Sequence, residues 1–205
     1  MAWTFHNLDD PESKHYTSEI LTGIHEAGNP YYDWFFGGHD SAQKILGKWM
    51  ARTTSEVSIT RVKVLFDGDR PVGGLLCLSG AELLTCRKAD MLALMKEMKP
   101  GGTFNLEERF AAARTLFPRV EPDVLYLSKI WTNSNLRGEG RGREILREFL
   151  EMGRTTGFRL FQLDVSADNR RAIRLYQSYG FQIIKKSSLA QANLEYLSMK
   201  LEEKK

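Results

Sequence analysis

The sequence predicts a mixed α/β fold in which helices flank a central mixed β-sheet. From residue 123 onward the patterns alternate in the order strand, helix, strand, helix, strand, strand, which is typical of α/β domains. Residues 57–79 form two apolar runs around the turn sequence DGDRP, which predicts a β-hairpin. Residues 81–118 return to helical spacing. The sheet is therefore expected to have a helical insertion before its fourth main strand.

The composition is that of a globular protein with a substantial core. Of the 205 residues, 42% are apolar and 27% are charged, which is ordinary for a folded domain of this length. The net charge of +3 is too small to attract nucleic acid by bulk charge, so a basic function would have to be local. The two cysteines, Cys77 and Cys86, are too few for a disulfide framework and favour reduced thiols.

Neither a membrane-spanning segment nor a leader is expected. No apolar run approaches the ~20 residues that cross a bilayer. The first residues, MAWTFHNLDD, lack the basic and apolar regions of a signal peptide. We therefore expect a cytoplasmic protein that does not bind membranes.

The first half of the chain combines a short strand, two helices and the hairpin. The strand is predicted at residues 3–6, and the helices at residues 10–26 and 41–52, where apolar residues recur at helical spacing. Between the helices, the sequence GNPYYDWFFGGHD is rich in turn-forming residues and predicts a loop dense in aromatic side chains. The hairpin then supplies the second and third main strands.

The second half has the most regular pattern. Strands and helices alternate there, with strands at residues 124–131, 158–165, 181–187 and 194–201 and helices at residues 141–156 and 169–179. Asp168 or Asn169 begins the second of these helices, and Gly180 lies just past its end. The first two strands are expected to be parallel because a helix connects them.

The segment NLRGEGRGRE, residues 135–144, places three arginines and three glycines in front of a predicted helix. It could bind phosphate through its backbone, contact nucleic acid, or form an ordinary loop before a solvated helix face. Free N–H groups at the positive end of a helix dipole bind phosphate, and glycine allows close approach. Arg137, Arg141 and Arg143 add positive charge. The Walker spacing and the dinucleotide spacing G-x-G-x-x-G are both absent, so a pyrophosphate loop of another kind is indicated.

A nucleic-acid interface is not expected, because glutamates interrupt the basic stripe. The arginines are Arg137, Arg141, Arg143, Arg147 and Arg154, and the glutamates between them are Glu139, Glu144, Glu148 and Glu151. Their charges nearly cancel.

Two motifs resemble the GNAT N-acetyltransferase superfamily. Residues 137–142, RGEGRG, fit R/Q-x-x-G-x-G/A, the loop that binds the pyrophosphate of acyl-CoA in that family. Residues 169–181, NRRAIRLYQSYGF, fit its second cofactor motif, N-x-x-A-x-x-L-Y-x-x-x-G-F. The resemblance implies a single GNAT-like domain over residues 1–205. It would have an acceptor-side half at residues 1–122 and an acyl-CoA-binding half at residues 123–201.

The resemblance also implies the roles of individual residues in binding acetyl-CoA. The pyrophosphate would be held by backbone amides of Arg137, Gly138, Glu139, Gly140, Arg141 and Gly142. The backbone of Ile130, Trp131 and Thr132 would pair with the pantetheine arm, and an amide near Ile130 or Trp131 would polarise the thioester carbonyl. Asn169 would bond the pantetheine. Tyr176 would lie near the sulfur and act as the general acid for the leaving thiolate.

The general base is the first departure from the family pattern. Many members carry a carboxylate on the strand before the loop, whereas here the inner face of that strand offers Tyr126, Ser128 and Ile130. Asp164 on the next strand and Glu82 in the insertion are the remaining candidates. The base is therefore unassigned, and a water chain is an alternative.

The second departure is the length of the helical insertion. It covers residues of about 80–120, whereas connections between strands usually have about 4–6 residues. The insertion could cover the acceptor site, and the aromatic sequence YYDWFF at residues 31–36 could form another wall. Simple packing of these aromatic side chains is the competing interpretation.

The expected activity is transfer of an acetyl group from acetyl-CoA to a primary amine by direct attack, without an acyl-enzyme. The acceptor would be a small-molecule or peptide amine.

No metal is expected, because the four histidines show no ligand spacing: they are His6, His15, His25 and His39. For Tyr176, packing beside Ala172 and Tyr179 competes with the acid role. The missing strand carboxylate keeps an inactive acyl-CoA-binding sensor or partner module as the alternative. The last strands, a common interface in the family, leave a homodimer open.

Overall fold

The computed structural model describes residues 3–8, 15–97, 105–133 and 140–203. Within these ranges the chain forms seven β-strands and seven α-helices. The strands are β1 (Trp3–Asn7), β2 (Val62–Asp67), β3 (Arg70–Ser79), β4 (Val124–Thr132), β5 (Leu160–Ser166), β6 (Gln182–Leu189) and β7 (Leu194–Glu202). The helices are α1 (Thr17–Gly28), α2 (Tyr31–Phe36), α3 (His39–Met50), α4 (Gly80–Glu97), α5 (Leu106–Leu116), α6 (Arg141–Thr155) and α7 (Arg170–Ser178).

The strands form one sheet in the order β1-β2-β3-β4-β5-β7-β6. The β1–β2 and β2–β3 pairs are antiparallel, as are β5–β7 and β6–β7. A bulge shifts the β2–β3 register between Leu65 and Phe66. The predicted class, a mixed sheet flanked by helices, is confirmed. The order places β4 beside β5, as the predicted strand–helix–strand unit requires.

The chain divides into two compact units. The first comprises Met1–Leu78 and Leu127–Met152, and the second comprises Ser79–Tyr126 and Gly153–Lys205. This division differs from the predicted halves of the domain, because β4 and α6 each contribute to both units. No helix in the described ranges is long and apolar enough to span a membrane.

The first unit packs helices and strands around apolar side chains. Ile24 of α1 and Leu46 of α3 are fully buried, as expected for helices with one apolar face. Trp131 of β4 is also buried, and its ring lies directly against the backbone of two glycines. A Cβ on Gly23 would lie 2.2 Å from that ring, and one on Gly74 would lie 2.5 Å from it. Both positions therefore require glycine.

Two predictions for the first unit are wrong in detail. The sequence GNPYYDWFFGGHD contains helix α2, which ends at Gly37 with a φ of 83°. The six-residue helix is stabilised by ring packing, including a T-shaped contact of Phe36 with Trp49 at 5.3 Å. The second strand begins at Val62, not at residue 57, because a turn and a short 3-10 helix capped by Ser58 precede it. Helix α1 begins at Thr17, and the predicted start at residue 10 lies outside the described residues.

The second unit contains the helical insertion, which is confirmed as helices α4 and α5. Helix α4 begins with a reciprocal cap: Ser79 donates its N–H and hydroxyl to Glu82, and the N–H of Glu82 donates to Ser79. Each side chain thereby satisfies a backbone or side-chain group of the other. Helix α5 and the segment after it contact the C-terminal strands, where Phe117 packs on Tyr196 with ring centroids 5.1 Å apart. The covering of the acceptor site by this insertion stays a prediction.

Candidate active site

The predicted pyrophosphate loop leads directly into α6. Residues 137–139 of this loop lie outside the described residues, so the roles of Arg137, Gly138 and Glu139 stay predictions. Gly140 is exposed, has a φ of 86°, and has none of the described atoms within 4 Å of the position of a Cβ. The N–H groups of Arg143 and Glu144 both donate to the carbonyl of Gly140. Helix geometry leaves the amide of Gly142, the residue before Arg143, without an intrahelical acceptor and pointing out of the helix start.

Arg141 is the first residue of α6, and its side chain points into the fold. It is buried, its guanidinium lies 3.2 Å from a carboxylate oxygen of Asp67, and it stacks over the ring of Trp3 at 5.4 Å. The contribution of the Arg141 charge to phosphate binding stays a prediction, and Asp67 already pairs with that charge. What Arg141 can still offer a phosphate is the dipole and backbone of the helix start.

The strand before the loop ends as the sequence predicts. Ile130, Trp131 and Thr132 are the last three residues of β4. Beyond them, Asn133 holds the strand end against β3 with its N–H on the carbonyl of Val72 and its side-chain amide on Pro71. The ring of Trp131 is buried in the core, so its side chain serves packing and only its backbone is available for the predicted pantetheine contact.

The second motif begins α7, and Asn169 is its N-cap. The side-chain oxygen of Asn169 accepts a hydrogen bond from the N–H of Ala172 at 3.1 Å. This is the usual role of asparagine at a helix start. Its side-chain NH2 group makes no hydrogen bond within the described residues, so it keeps a donor for a ligand. Gly180, just past the helix, has a φ of 91°, which agrees with the predicted stop.

Tyr176 lies on the buried face of α7. Its ring packs near Phe181 at a centroid distance of 6.0 Å. Desolvation by burial raises the pKa of the Tyr176 phenol above its ordinary value. Its hydroxyl makes no hydrogen bond to another group in the described part of the chain. Tyr176 is therefore protonated at neutral pH, and none of the described residues accepts a hydrogen bond from its hydroxyl.

Asp164, one of the two predicted base candidates, is held by hydroxyl groups. Tyr126 donates to it at 2.7 Å, and Ser198 donates to its other oxygen. The second candidate, Glu82, caps α4. Both carboxylates thus have structural partners inside the second unit.

Glu56 is a carboxylate that the sequence analysis missed. It accepts a hydrogen bond from the hydroxyl of Ser128 on β4, although the two residues are 72 positions apart. The ammonium of Lys129 lies 3.8 Å from the same oxygen, and it also donates to the carbonyl and hydroxyl of Ser128. The side chains of Glu56 and Lys129 are only 12% and 10% exposed, so the charge pair is largely shielded from water. Ser128 was one of the inner-face positions of β4, and the structure supplies its carboxylate partner from the turn before β2.

Comparisons with known proteins give the family and the fold of the chain. The sequence profile described as the acetyltransferase (GNAT) family matches residues 24–181. An N-acetyltransferase from Staphylococcus aureus Mu50 has a similar structure, with a TM-score of 0.70, 18% identity, and coverage of 97% of this chain and 100% of that chain. An agmatine N-acetyltransferase is similar at a TM-score of 0.59 and 15% identity, over 98% of this chain and 99% of its own.

A chain of the NatC complex bound to Gag peptide and CoA is similar over the whole of both chains, with a TM-score of 0.55 and 14% identity. These identities are low, so the structural neighbours support the fold. Comparison with curated protein sequences finds no match.

Proposed function

The chain belongs to the acetyltransferase (GNAT) family, and from this premise we propose that it transfers the acetyl group of acetyl-CoA to a primary amine. Membership makes it an acyl-CoA-dependent N-acyltransferase. The observation that carries the proposal is the extent of the family match, because residues 24–181 include both cofactor motifs. The acceptor class is a small-molecule or peptide amine, and the location remains the cytoplasm that the sequence predicts.

The reaction needs no covalent enzyme intermediate. The lone pair of the amine attacks the thioester carbonyl carbon, forming a C–N bond and a tetrahedral oxyanion. The C–S bond then breaks, the thiolate leaves with its electron pair, and the nitrogen loses a proton. The protein must therefore stabilise an oxyanion, donate a hydrogen bond or a proton to the sulfur, and accept a proton from the nitrogen.

Backbone groups are proposed to bind the donor. The amides at the start of α6, from Gly140 to Gly142, would bind the pyrophosphate. The N–H groups of a helix start donate hydrogen bonds to phosphate oxygens, and a glycine in front of the helix lets those oxygens approach the backbone closely. The backbone at the end of β4 would bind pantetheine, and the amide of Ile130 or Trp131 would stabilise the oxyanion. The uncommitted NH2 group of Asn169 supports its proposed bond to pantetheine.

Tyr176 is proposed as the hydrogen donor to the leaving sulfur. Burial keeps its phenol protonated at neutral pH, which the role requires. A thiol has a pKa of about 8.5 and an ordinary phenol one of about 10, so complete proton transfer from the buried phenol is uphill. The main effect of Tyr176 is therefore a hydrogen bond that strengthens as charge develops on sulfur.

Glu56 is proposed as the proton acceptor for the amine, acting through a water molecule. Its partner Ser128 lies two residues before Ile130 on the same strand. The family pattern places Ile130 beside the thioester. Lys129 attracts the Glu56 carboxylate and fixes its position. Asp164 is the less suitable candidate because two hydroxyl donors already occupy both of its oxygens.

This arrangement also bears on the alternative of an inactive acyl-CoA-binding module. That alternative rests on the absence of a carboxylate from β4. Two carboxylates from outside β4, Glu56 and Asp164, accept hydrogen bonds from side chains of β4. The lack of a carboxylate on β4 itself therefore no longer favours the inactive module. Nucleic-acid binding is also disfavoured, because Arg147 pairs with Glu144 and Arg154 pairs with Glu203.

The proposal is tested by acetyl-CoA titration calorimetry followed by thiol release with a panel of amines. The panel should include diamines, amino acids and short peptides with free N-termini. Binding at micromolar concentration with amine-dependent thiol release is the expected result. Binding without release from any amine would favour the inactive module, and an absence of binding would refute the donor assignment.

Once an acceptor is found, Glu56→Gln tests the proton acceptor. We expect kcat/KM at neutral pH to fall by about 100-fold, the usual scale for losing a general base. The deficit should shrink as the pH approaches the amine pKa of about 10, because the substrate then arrives deprotonated. Asp164→Asn is the matched control and should keep the wild-type pH profile. An equal fall at every pH with weaker acetyl-CoA binding would instead indicate a packing role for Glu56.

A further inference from the structure

Three metal-ligating side chains meet where the first three helices follow one another. His25 lies in the last turn of α1, Asp33 lies in α2, and His39 is the first residue of α3. One ligand atom from each side chain lies within 4.8 Å of the other two. The histidine spacing in the sequence gave no sign of this group, because α2 falls where a loop is expected.

The carboxylate of the group is held in place from behind. The side-chain NH2 of Asn29 donates to Oδ2 of Asp33 at 2.9 Å, and the N–H of Asp33 donates to Oδ1 of Asn29 at 3.2 Å. The remaining oxygen of Asp33 therefore faces His25, whose Nε2 lies 2.7 Å away. Proteins commonly orient a metal-binding carboxylate by such an outer hydrogen bond.

The two imidazoles differ in exposure and lie edge to face. His25 is 2% exposed, whereas His39 is exposed. Their ring centroids are 4.7 Å apart at an interplanar angle of 89°. His39 makes no hydrogen bond or ion pair within the described residues. The hydrogen bond between buried His25 and Asp33 would by itself be ordinary. That hydrogen bond does not explain why the imidazole of His39 packs against the imidazole of His25.

We propose that His25, Asp33 and His39 form a Zn²⁺ site. Two imidazoles and one carboxylate are a donor set that Zn²⁺ accepts, with bonds of about 2.0–2.2 Å. Tetrahedral ligands at that distance lie about 3.3 Å from one another, so side-chain rotation is enough to close the group. Binding breaks the His25–Asp33 hydrogen bond and releases any proton held on the coordinating nitrogens. Asn29 keeps Oδ2 of Asp33, and the exposed side at His39 leaves the fourth position to water.

The bound ion would link α1, α2 and α3, which carry none of the residues proposed for acyl transfer. The site therefore stands or falls independently of the proposed function. Its direct consequence is stability: an ion that binds only the folded chain raises the melting temperature.

The test is a titration of the chelator-treated full-length protein with Co²⁺, followed by Zn²⁺ competition in a calorimeter. We expect one equivalent of Co²⁺ to bind with visible absorption of a nitrogen and oxygen site, without a thiolate charge-transfer band. At a Zn²⁺ concentration of 100 times the Kd, the melting temperature should rise by about 5–10 °C.

Three variants test the site: one changes a ligand, one changes an orienting residue and one is a control. His39→Gln changes an exposed residue, so it should fold, and it should weaken binding by at least about 100-fold. Asn29→Ala should weaken it by about 10–100-fold through loss of the orienting bond. His15→Gln, at an exposed histidine outside the group, is the matched control and should bind as wild type. The proposal is overturned if the wild type shows no saturable binding, if His39→Gln binds normally, or if a thiolate band shows that cysteine holds the ion.

Discussion

The starts of α7 and α6 differ in their N-cap residue, which is Asn169 at α7 and Gly140 at α6. At α7, the side-chain oxygen of Asn169 accepts the N–H of Ala172. At α6, the residue in the corresponding position is Gly140, which has no side chain, and none of the described atoms lies within 4 Å of the position of a Cβ there. The first amides of a helix need an acceptor. At α7 the N-cap residue supplies one of these acceptors, and at α6 we propose that a bound phosphate does so.

This difference separates two ways in which a helix serves a site. The start of α6 offers backbone groups, and the side chain of Arg141 there is used for packing against Asp67 and Trp3. The start of α7 is used for its own stability, and the helix offers a side chain, Tyr176, two turns further on. Substitutions at α6 should therefore change donor affinity, and those at α7 should change turnover or stability.

The largest effect is expected for Gly140→Asp at the open helix start. The matched variant is Gly140→Asn, because asparagine tolerates a positive φ and differs from aspartate only in charge. A unit charge about 4 Å from a phosphate costs about 4 kcal/mol at an effective dielectric constant of 20. Screening in this exposed loop reduces the cost, so calorimetry should show a Kd for acetyl-CoA about 100-fold higher for aspartate than for asparagine.

Loss of folding cannot mimic this result, because a carboxylate at a helix N-terminus stabilises the helix itself. The aspartate variant should unfold at the same temperature as the asparagine variant or above it. Equal affinities for the two variants would mean that no anion binds at the start of α6.

Tyr176→Phe tests the contribution of a side chain, which is what α7 is proposed to offer the site. We expect turnover to fall by roughly 100-fold, the scale for losing one hydrogen bond to the charge that develops in the transition state, while the calorimetric Kd for acetyl-CoA stays within about threefold of wild type. The stability at neutral pH should not fall, since the lost hydroxyl has no hydrogen bond within the described residues. Full activity in the variant would leave Tyr176 as a packing residue.

The same variant has a second readout in the pH dependence of unfolding. Burial raises the pKa of Tyr176 in the folded chain above its unfolded value of about 10. The folded state then binds the proton more tightly, so its contribution to stability is complete below pH ~10 and is lost as the pH rises further. Denaturation between about pH 9 and 11 should be less steeply pH-dependent in Tyr176→Phe.

The third prediction concerns the side chain at the start of α6. In Arg141→Met the carboxylate of Asp67 loses its cation while much of the packing against Trp3 remains. Breaking a charged hydrogen bond of this kind costs about 1.5–3 kcal/mol, so the urea midpoint should fall. The Kd for acetyl-CoA should change by less than about threefold. A tenfold loss of affinity at unchanged stability would show that the Arg141 charge reaches the phosphate.

The sequence predicts the elements that carry a sustained period. It predicts a helix at residues 141–156 and a strand at residues 124–131, and the structure has α6 at Arg141–Thr155 and β4 at Val124–Thr132. It misses α2 because six residues give fewer than two turns of pattern, and the flanking glycines and proline indicate a loop. That helix exists because its rings pack on one another and on Trp49.

The same distinction holds for the functional residues. Asn169 and Tyr176 can be placed from the sequence because the motif and helical spacing define both of them. The contact of Glu56 with Ser128 cannot be placed from the sequence, because the two residues are far apart in the chain and only the folded structure brings them together. The group of His25, Asp33 and His39 escapes for a related reason, since its spacing depends on the unpredicted helix α2.

The smallest effect is expected at Asn169, where two roles can be separated by two substitutions. Asn169→Ala removes both the capping oxygen and the NH2 group, and loss of an N-cap costs about 1 kcal/mol of stability. Asn169→Ser keeps a capping oxygen without adding a charge and removes the NH2 donor, so urea unfolding should return close to the wild-type midpoint.

If the NH2 group binds pantetheine, both variants should weaken acetyl-CoA binding by about 2–10-fold, the value of one hydrogen bond. The serine variant would then combine normal stability with reduced affinity, a result that capping alone does not produce. If the serine variant is normal in both measurements, Asn169 closes the start of α7 and has no further part in the site. The contrast between the two helix starts would then be complete, because the start of α6 alone would contact the donor.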